Sequence, residues 1–120
     1  MGAHTLNPDD DFTDYALPLA QRVATTKGSF GMLLCRNGVG VAIVANKVRG
    51  IRAMTSFDPN HAKSGRRDDN ANVLCLPADY RTLKEIKKII TVWLSTPFSN
   101  EKRYRKRLQK IQEYEHKRLA

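Results

Sequence analysis

No apolar run in this chain approaches the roughly eighteen to twenty residues that a membrane-spanning helix needs, which excludes a helical membrane anchor. The opening residues, Met1-Gly2-Ala3-His4-Thr5, lack the basic and apolar regions of a secretory signal, and Leu6 stands where a myristoylation signal needs Ser or Thr. Cysteine is scarce. Cys35 and Cys75 are the whole supply, so reduced thiols and a cytoplasmic location are expected. His4, His61 and His116 show no metal-ligand spacing, and neither a metal nor a cofactor is expected. Gly38-Val39-Gly40 lacks the third glycine and the downstream acid of a dinucleotide fingerprint, and no Gly-Lys-Ser/Thr follows it. There are no internal repeats and no low-complexity segments.

Acidic residues are also in short supply, 12 against 21 Lys and Arg, for a formal net charge of +9. The imbalance is local. Asp9, Asp10, Asp11 and Asp14 crowd the start, while Lys102 to Arg118 is dense in cations. Such a tail suits nucleic acid, an anionic metabolite or a solvated helix face. Without an aromatic-interleaved basic sheet or a recognition helix, no nucleic-acid partner is expected. A salt-dependent affinity for DNA or RNA would argue otherwise.

What is present reads as one small domain over residues 1–120, with 41% hydrophobic residues to build a core. After the turn Asn7-Pro8-Asp9, a helix capped by Asp11 or Thr13 carries Tyr15, Leu19, Ala20 and Val23 on one face. Phe30 to Cys35 reads as a buried strand. Val39 to Val48 reads as a helix apolar almost all round, with Gly50 as its C-terminal cap. Ile51 to Ser56 is a second strand. Asp58-Pro59 opens another helix, with Asp as cap and Pro in the first turn. Ala71 to Leu76 is a third strand, closed by Pro77. Leu83, Ile86, Ile90 and Trp93 form the core-facing stripe of a helix that Thr96-Pro97 ends. A last helix covers about Asn100 to Leu119, with Tyr104, Leu108 and Ile111 on one side. At about 1.5 Å per residue it is nearly 30 Å long, too long for so small a domain, and a second subunit is its expected contact. Alternating strands and helices imply a three-layer, Rossmann-like α/β fold with a parallel sheet and crossover helices.

Chemistry concentrates where the first strand meets its loop. Leu33-Leu34-Cys35-Arg36-Asn37-Gly38-Val39-Gly40 aims several backbone N–H groups and a helix start at one spot beside a thiol. The same field favours the thiolate of Cys35. Chemistry that builds negative charge on a substrate oxygen fits such a site. Taken singly these features are weak, because glycines serve turns and cysteine is often a small buried hydrophobe. That bland reading is kept for Cys75. Arg103 and Arg107 lie four apart on one helical face, a spacing at which two guanidinium forks can clamp a phosphate.

In order along the chain, Asp11-Phe12-Thr13-Asp14-Tyr15, Gly31-Met32-Leu33-Leu34-Cys35, Asn37-Gly38-Val39-Gly40 and Ala45-Asn46-Lys47-Val48-Arg49-Gly50-Ile51-Arg52-Ala53 resemble the type B ribose-5-phosphate isomerase family, which includes the galactose-6-phosphate isomerase subunits. Asp58-Pro59, Ala62-Lys63, Arg66, Ala71-Asn72-Val73-Leu74 and Thr96-Pro97-Phe98-Ser99 continue the resemblance, which runs from about Gly2 to Ile111. It implies aldose–ketose isomerisation of a sugar phosphate through an enediolate, without a cofactor, in a homodimer or higher homo-oligomer. Cys35 is implied as the proton shuttle, and the backbone of Arg36, Asn37, Gly38, Val39 and Gly40 as the anion hole. Phe12 stands at a substrate-side tyrosine position. Arg103 and Arg107 match a phosphate-binding pair that the family supplies from the partner subunit.

The resemblance also has gaps. The family's His-Asn-Asp is Asp68-Asp69-Asn70 here, which puts a carboxylate, Asp68, in the ring-opening role and Asp69 beside the substrate. Pro77-Ala78-Asp79 lacks an arginine that some members use for phosphate, and Arg36 replaces a glycine. The resemblance begins after the family's initial strand–helix unit with its Asp-His pair. An open sheet edge beside the strand ending at Cys35 is therefore expected. A sugar-phosphate-binding fragment without turnover is the alternative reading.

Overall fold

The computed structural model describes residues 1–119. Five helices and three strands alternate: α1 (Thr13–Thr25), β1 (Gly31–Cys35), α2 (Gly40–Ala45), β2 (Ala53–Thr55), α3 (Pro59–Asp69), β3 (Val73–Pro77), α4 (Leu83–Ser95) and α5 (Lys102–Leu119). The strands form one parallel sheet in the order β1-β3-β2, with Gly31 beside Val73 and Ala53 beside Val73 on the other flank. β3 is central and buried at every position, so its apolar run Val73-Leu74-Cys75-Leu76 faces both layers. Val73 and Cys75 pack with Ala16, Ala20 and Val23 of α1 and Val41 and Ala45 of α2. Leu74 and Leu76 pack with Ala62 of α3 and Ile86, Ile89 and Trp93 of α4. This is the expected three-layer α/β arrangement. β1 pairs only with β3 among the described residues, so it is the open edge anticipated above.

Local details depart from expectation for physical reasons. Neither Asp11 nor Thr13 caps α1 through its side chain. Phe12 holds the cap position, and the Asp14 carboxylate accepts the Asp11 N–H at 2.9 Å. α2 stops at Ala45, because Asn46 turns its side chain to the backbone of Ala53, donating to its carbonyl at 3.0 Å and accepting its N–H at 2.8 Å. Gly50, at φ +89°, ends the turn that follows and does not cap the helix itself. β2 is shorter than expected, and Pro77 is the last residue of β3 and not a stop before it. On α4 the buried stripe is Ile86, Ile89 and Trp93, while Leu83 is 68% exposed. Leu83 sits in the first turn beside the Thr82 cap, beyond the reach of the sheet. Asp58 caps α3 as expected, its carboxylate accepting the His61 N–H at 3.0 Å, with Pro59 in the first turn.

α5 starts at Lys102, and none of its described side chains is fully buried. It touches the body through Glu115, which accepts the Gly50 N–H at 3.0 Å, and through His116 against the Arg49 guanidinium. A cleft of about 520 Å³ separates the helix from the β2 entry, lined by Arg52, Asp69, Leu108, Ile111 and Tyr114 among others.

Candidate active site

Cys35 closes β1 and is partly exposed. The loop behind it folds back because Gly38 adopts φ +73°, and a Cβ there would stand 2.8 Å from Thr55 Cγ2 and 3.2 Å from the Leu76 carbonyl carbon. Only glycine satisfies both the angle and the space. The result is that the Gly38 N–H donates to Cys35 Sγ at 3.1 Å. Asn37 folds in beside it, its Oδ1 accepting the Val39 N–H at 3.0 Å with the Cys35 thiol at 3.8 Å. Thr55, a residue that the sequence reading did not single out, donates its hydroxyl to the Gly38 carbonyl at 2.6 Å and pins the loop to β2. Its signal was there to see: a hydroxyl at the C-terminal end of a parallel strand, where such sheets place their ligands. Phe12 lays its ring against Gly40, where a Cβ would meet Phe12 Cζ at 2.8 Å. So Cys35, the loop 36–40 and Phe12 converge at one end of the sheet.

Cys75 differs from Cys35 in kind. It is fully buried, and burial, with a smaller contribution from the nearby Cys35, pushes its thiol up to about 12. At neutral pH it is a protonated core residue, as its place in an apolar run implies.

The other candidates lie at the opposite end. Asp68 and Asp69 finish α3, which runs antiparallel to the strands and leads into the start of β3. Five strand residues at about 3.3 Å each separate that level from Cys35. Asp68 is paired with Arg67 at 3.0 Å, and Asp69 lines the cleft against α5. The Ser99 N–H donates to the Arg67 carbonyl at 3.0 Å, which fixes the entry of α5 to the same corner. Arg103 and Arg107 bracket the Tyr104 ring, at 4.6 Å and 5.5 Å from its centroid, and Arg103 also contacts Glu101 at 3.2 Å. One chain therefore places a thiol with backbone donors at one end of the sheet and the Asp68 carboxylate with Arg103 and Arg107 toward the other.

A buried cation ties the end of α3 to the start of β3 and the end of α4. Arg66 is 5% exposed, with its guanidinium donating to Asn70 Oδ1 at 2.8 Å, to the Ala71 carbonyl at 2.6 Å and to the Thr96 carbonyl at 3.2 Å. Phe30 and Trp93 flank it. Burial pulls its pKa down, as expected of a cation satisfied by carbonyls and rings and not by a carboxylate. The described residues contain no group of His, Cys, Asp or Glu able to hold a metal ion.

The sequence profile of the Ribose/Galactose Isomerase family matches residues 1–111. A probable ribose-5-phosphate isomerase B of Mycoplasma pneumoniae is 41% identical over 115 residues, spanning 96% of this chain and 75% of that protein. A D-erythrulose-4-phosphate isomerase of Pectobacterium atrosepticum is 39% identical over 105 residues, 88% of this chain and 68% of that one. Among solved structures, ribose-5-phosphate isomerase B of Mycoplasma genitalium with bound ribulose-5-phosphate superposes with a TM-score of 0.92 at 36% identity, covering 97% of this chain and 76% of that chain. With its profile, its parallel sheet and its relatives in agreement, the chain belongs to the ribose/galactose isomerase family, whose members here are sugar-phosphate isomerases.

Proposed function

We propose that this protein interconverts an aldose phosphate and a ketose phosphate, of the ribose 5-phosphate and ribulose 5-phosphate type, through an enediolate. The observation that carries the reading is the approach of the Gly38 N–H to Cys35 Sγ at 3.1 Å, which puts a main-chain donor and a candidate base in one place. In this reading the Cys35 thiolate takes the proton from C2 of the aldose. The electron pair left on carbon moves to the carbonyl oxygen, giving an enediolate whose charge the N–H groups of the loop 36–40 stabilise. The O2 hydroxyl proton passes to O1, the thiol returns its proton to C1, and the carbonyl comes to rest at C2. Asn37 Oδ1 and Cys35 Sγ hold the Val39 and Gly38 N–H groups until substrate oxygens replace them.

Arg103 and Arg107 of a second copy hold the phosphate, because their own end of the chain faces away from Cys35. Asp68 of that copy stands near the same substrate as acid or base. The relative that acts on erythrulose 4-phosphate supports leaving the length of the sugar open.

Incubation with ribose 5-phosphate in deuterated water, followed by proton NMR, tests the reaction directly. Ketose formation with exchange of the C2 proton is expected. Cys35→Ser should lower the rate by about 10²- to 10⁴-fold, the usual worth of a positioned base, while Cys75→Ala keeps it within a few-fold. An absence of turnover with tetrose, pentose and hexose phosphates alike contradicts the reading.

A further inference from the structure

The end of the sheet that carries Cys35 also carries an arginine held in an unusual way. Beyond the last rung of β1 and β3, the Ala78 N–H donates to the Cys35 carbonyl at 2.8 Å and the Asp79 N–H to the Arg36 carbonyl at 2.9 Å. These two bonds extend the ladder past the strands and set Arg36 and Asp79 side by side. Their side chains then meet, Nε of Arg36 on Oδ2 of Asp79 at 2.8 Å. The pairing uses only Nε. The two terminal nitrogens, the fork that grips oxyanions in pairs, make no hydrogen bond with the described residues, and the side chain is 91% exposed.

An exposed ion pair of this kind adds little to stability, so packing does not account for it. Arg81, the next cation along this rim, is differently placed. It donates to the Phe57 carbonyl at 2.7 Å and the Tyr80 carbonyl at 3.2 Å and stands 3.5 Å from Glu85, which leaves it committed to the fold.

We propose that Arg36, aimed by Asp79, is a substrate-binding residue that grips a phosphate oxygen of the sugar phosphate at the mouth beside Cys35. Asp79 is its positioning residue. The tether through Nε removes part of the rotamer freedom that a free arginine would lose on binding, and it leaves both terminal nitrogens unengaged by the described residues. The proposal rests on the isomerase reading for the identity of the ligand. It adds a third cation, supplied by the chain that carries the thiol, to the pair supplied by the partner.

A titration that reads binding separately from turnover tests it. The Nε–Hε resonance of Arg36 should shift on addition of ribose 5-phosphate or inorganic phosphate and stay still with unphosphorylated ribose. Arg36→Ala should raise KM for ribose 5-phosphate about tenfold or more with kcat within about twofold, as expected of a charge-assisted contact made equally in ground and transition states. Asp79→Ala should raise KM about threefold. The double variant should match Arg36→Ala, because Asp79 acts only through Arg36. A resonance that ignores both phosphate probes, or losses that simply add in the double variant, overturns the proposal. Binding through Arg36 without turnover would sink the isomerase reading and leave this one standing. Turnover with an unmoved Arg36 resonance would do the reverse.

Discussion

Cys35 and Cys75 lie on neighbouring strands, on the same face of the sheet and two residues apart in register, yet their environments oppose each other. Cys35 ends its strand and meets a backbone N–H. Cys75 sits inside the central strand with no exposure, its thiol held protonated up to about 12. That shift makes a stability prediction with a definite sign. In the unfolded chain Cys75 ionises near its ordinary value of 9.0, while in the folded chain it does not do so until about 12. Between those limits the unfolded state binds fewer protons, so stability falls as pH rises, by up to about 1.4 kcal/mol per unit. The contribution is whole below about pH 9. Urea unfolding from pH 8 to 11 should show a shallower alkaline loss in Cys75→Ala than in the parent; identical slopes would mean that the buried thiol is not the cause. From the sequence alone both cysteines fell in apolar runs. What separated them was the glycine loop after Cys35 and its absence after Cys75.

At the scale of elements, the helices show where periodicity speaks and where it is silent. The spacing of Leu83, Ile86, Ile90 and Trp93 correctly marks a helix; Ile86 and Trp93 are buried, Ile90 packs half-buried beside them, Ile89 joins the buried face and Leu83 leaves it. Periodicity defines a stripe but not its edges, because the neighbour that covers a first-turn residue is set by the length of the strand beneath. Ile89→Ala should cost about 2–5 kcal/mol through the cavity it leaves, whereas Leu83→Ala should change stability by no more than about 0.5 kcal/mol, both read from chemical denaturation. Equal effects would restore the stripe read from spacing. Asn46 teaches the complementary lesson. Its amide closes on both polar groups of Ala53, so part of the Ala45-Asn46-Lys47 motif serves to hold β2 in place. No pattern of hydrophobicity announces such a bond, which joins residues seven apart around a turn.

For the whole molecule, the distance between Cys35 and the arginines of α5 makes the proposed shared site testable. If Arg103 and Arg107 serve the Cys35 of a second copy, neither a Cys35→Ser protein nor an Arg103→Ala/Arg107→Ala protein should turn over sugar phosphate well alone. Mixed after unfolding and refolding together, they should regain activity, approaching a quarter of the parental rate per site at equal amounts, because a hybrid dimer holds one intact composite site. Activity that stays at the sum of the two variants would place the arginines and the thiol in separate sites. α5 suits the shared arrangement, since it buries no described side chain fully against its own body and presents Ile111 and Tyr114, 49% and 65% exposed. The layer order, the parallel sheet, the capped start of α3 and the place of the thiol loop were all legible in the order of residues. Each depends on local rules: period, cap and turn act over a few positions. Tertiary structure alone decided that β3 lies between β1 and β2, that Arg66 is buried among carbonyls and rings, that Thr55 pins Gly38, and that Asp79 takes hold of Arg36. Those contacts join residues up to 43 positions apart. They arise only once the sheet has brought strand ends together, and no short-range pattern in the chain encodes them.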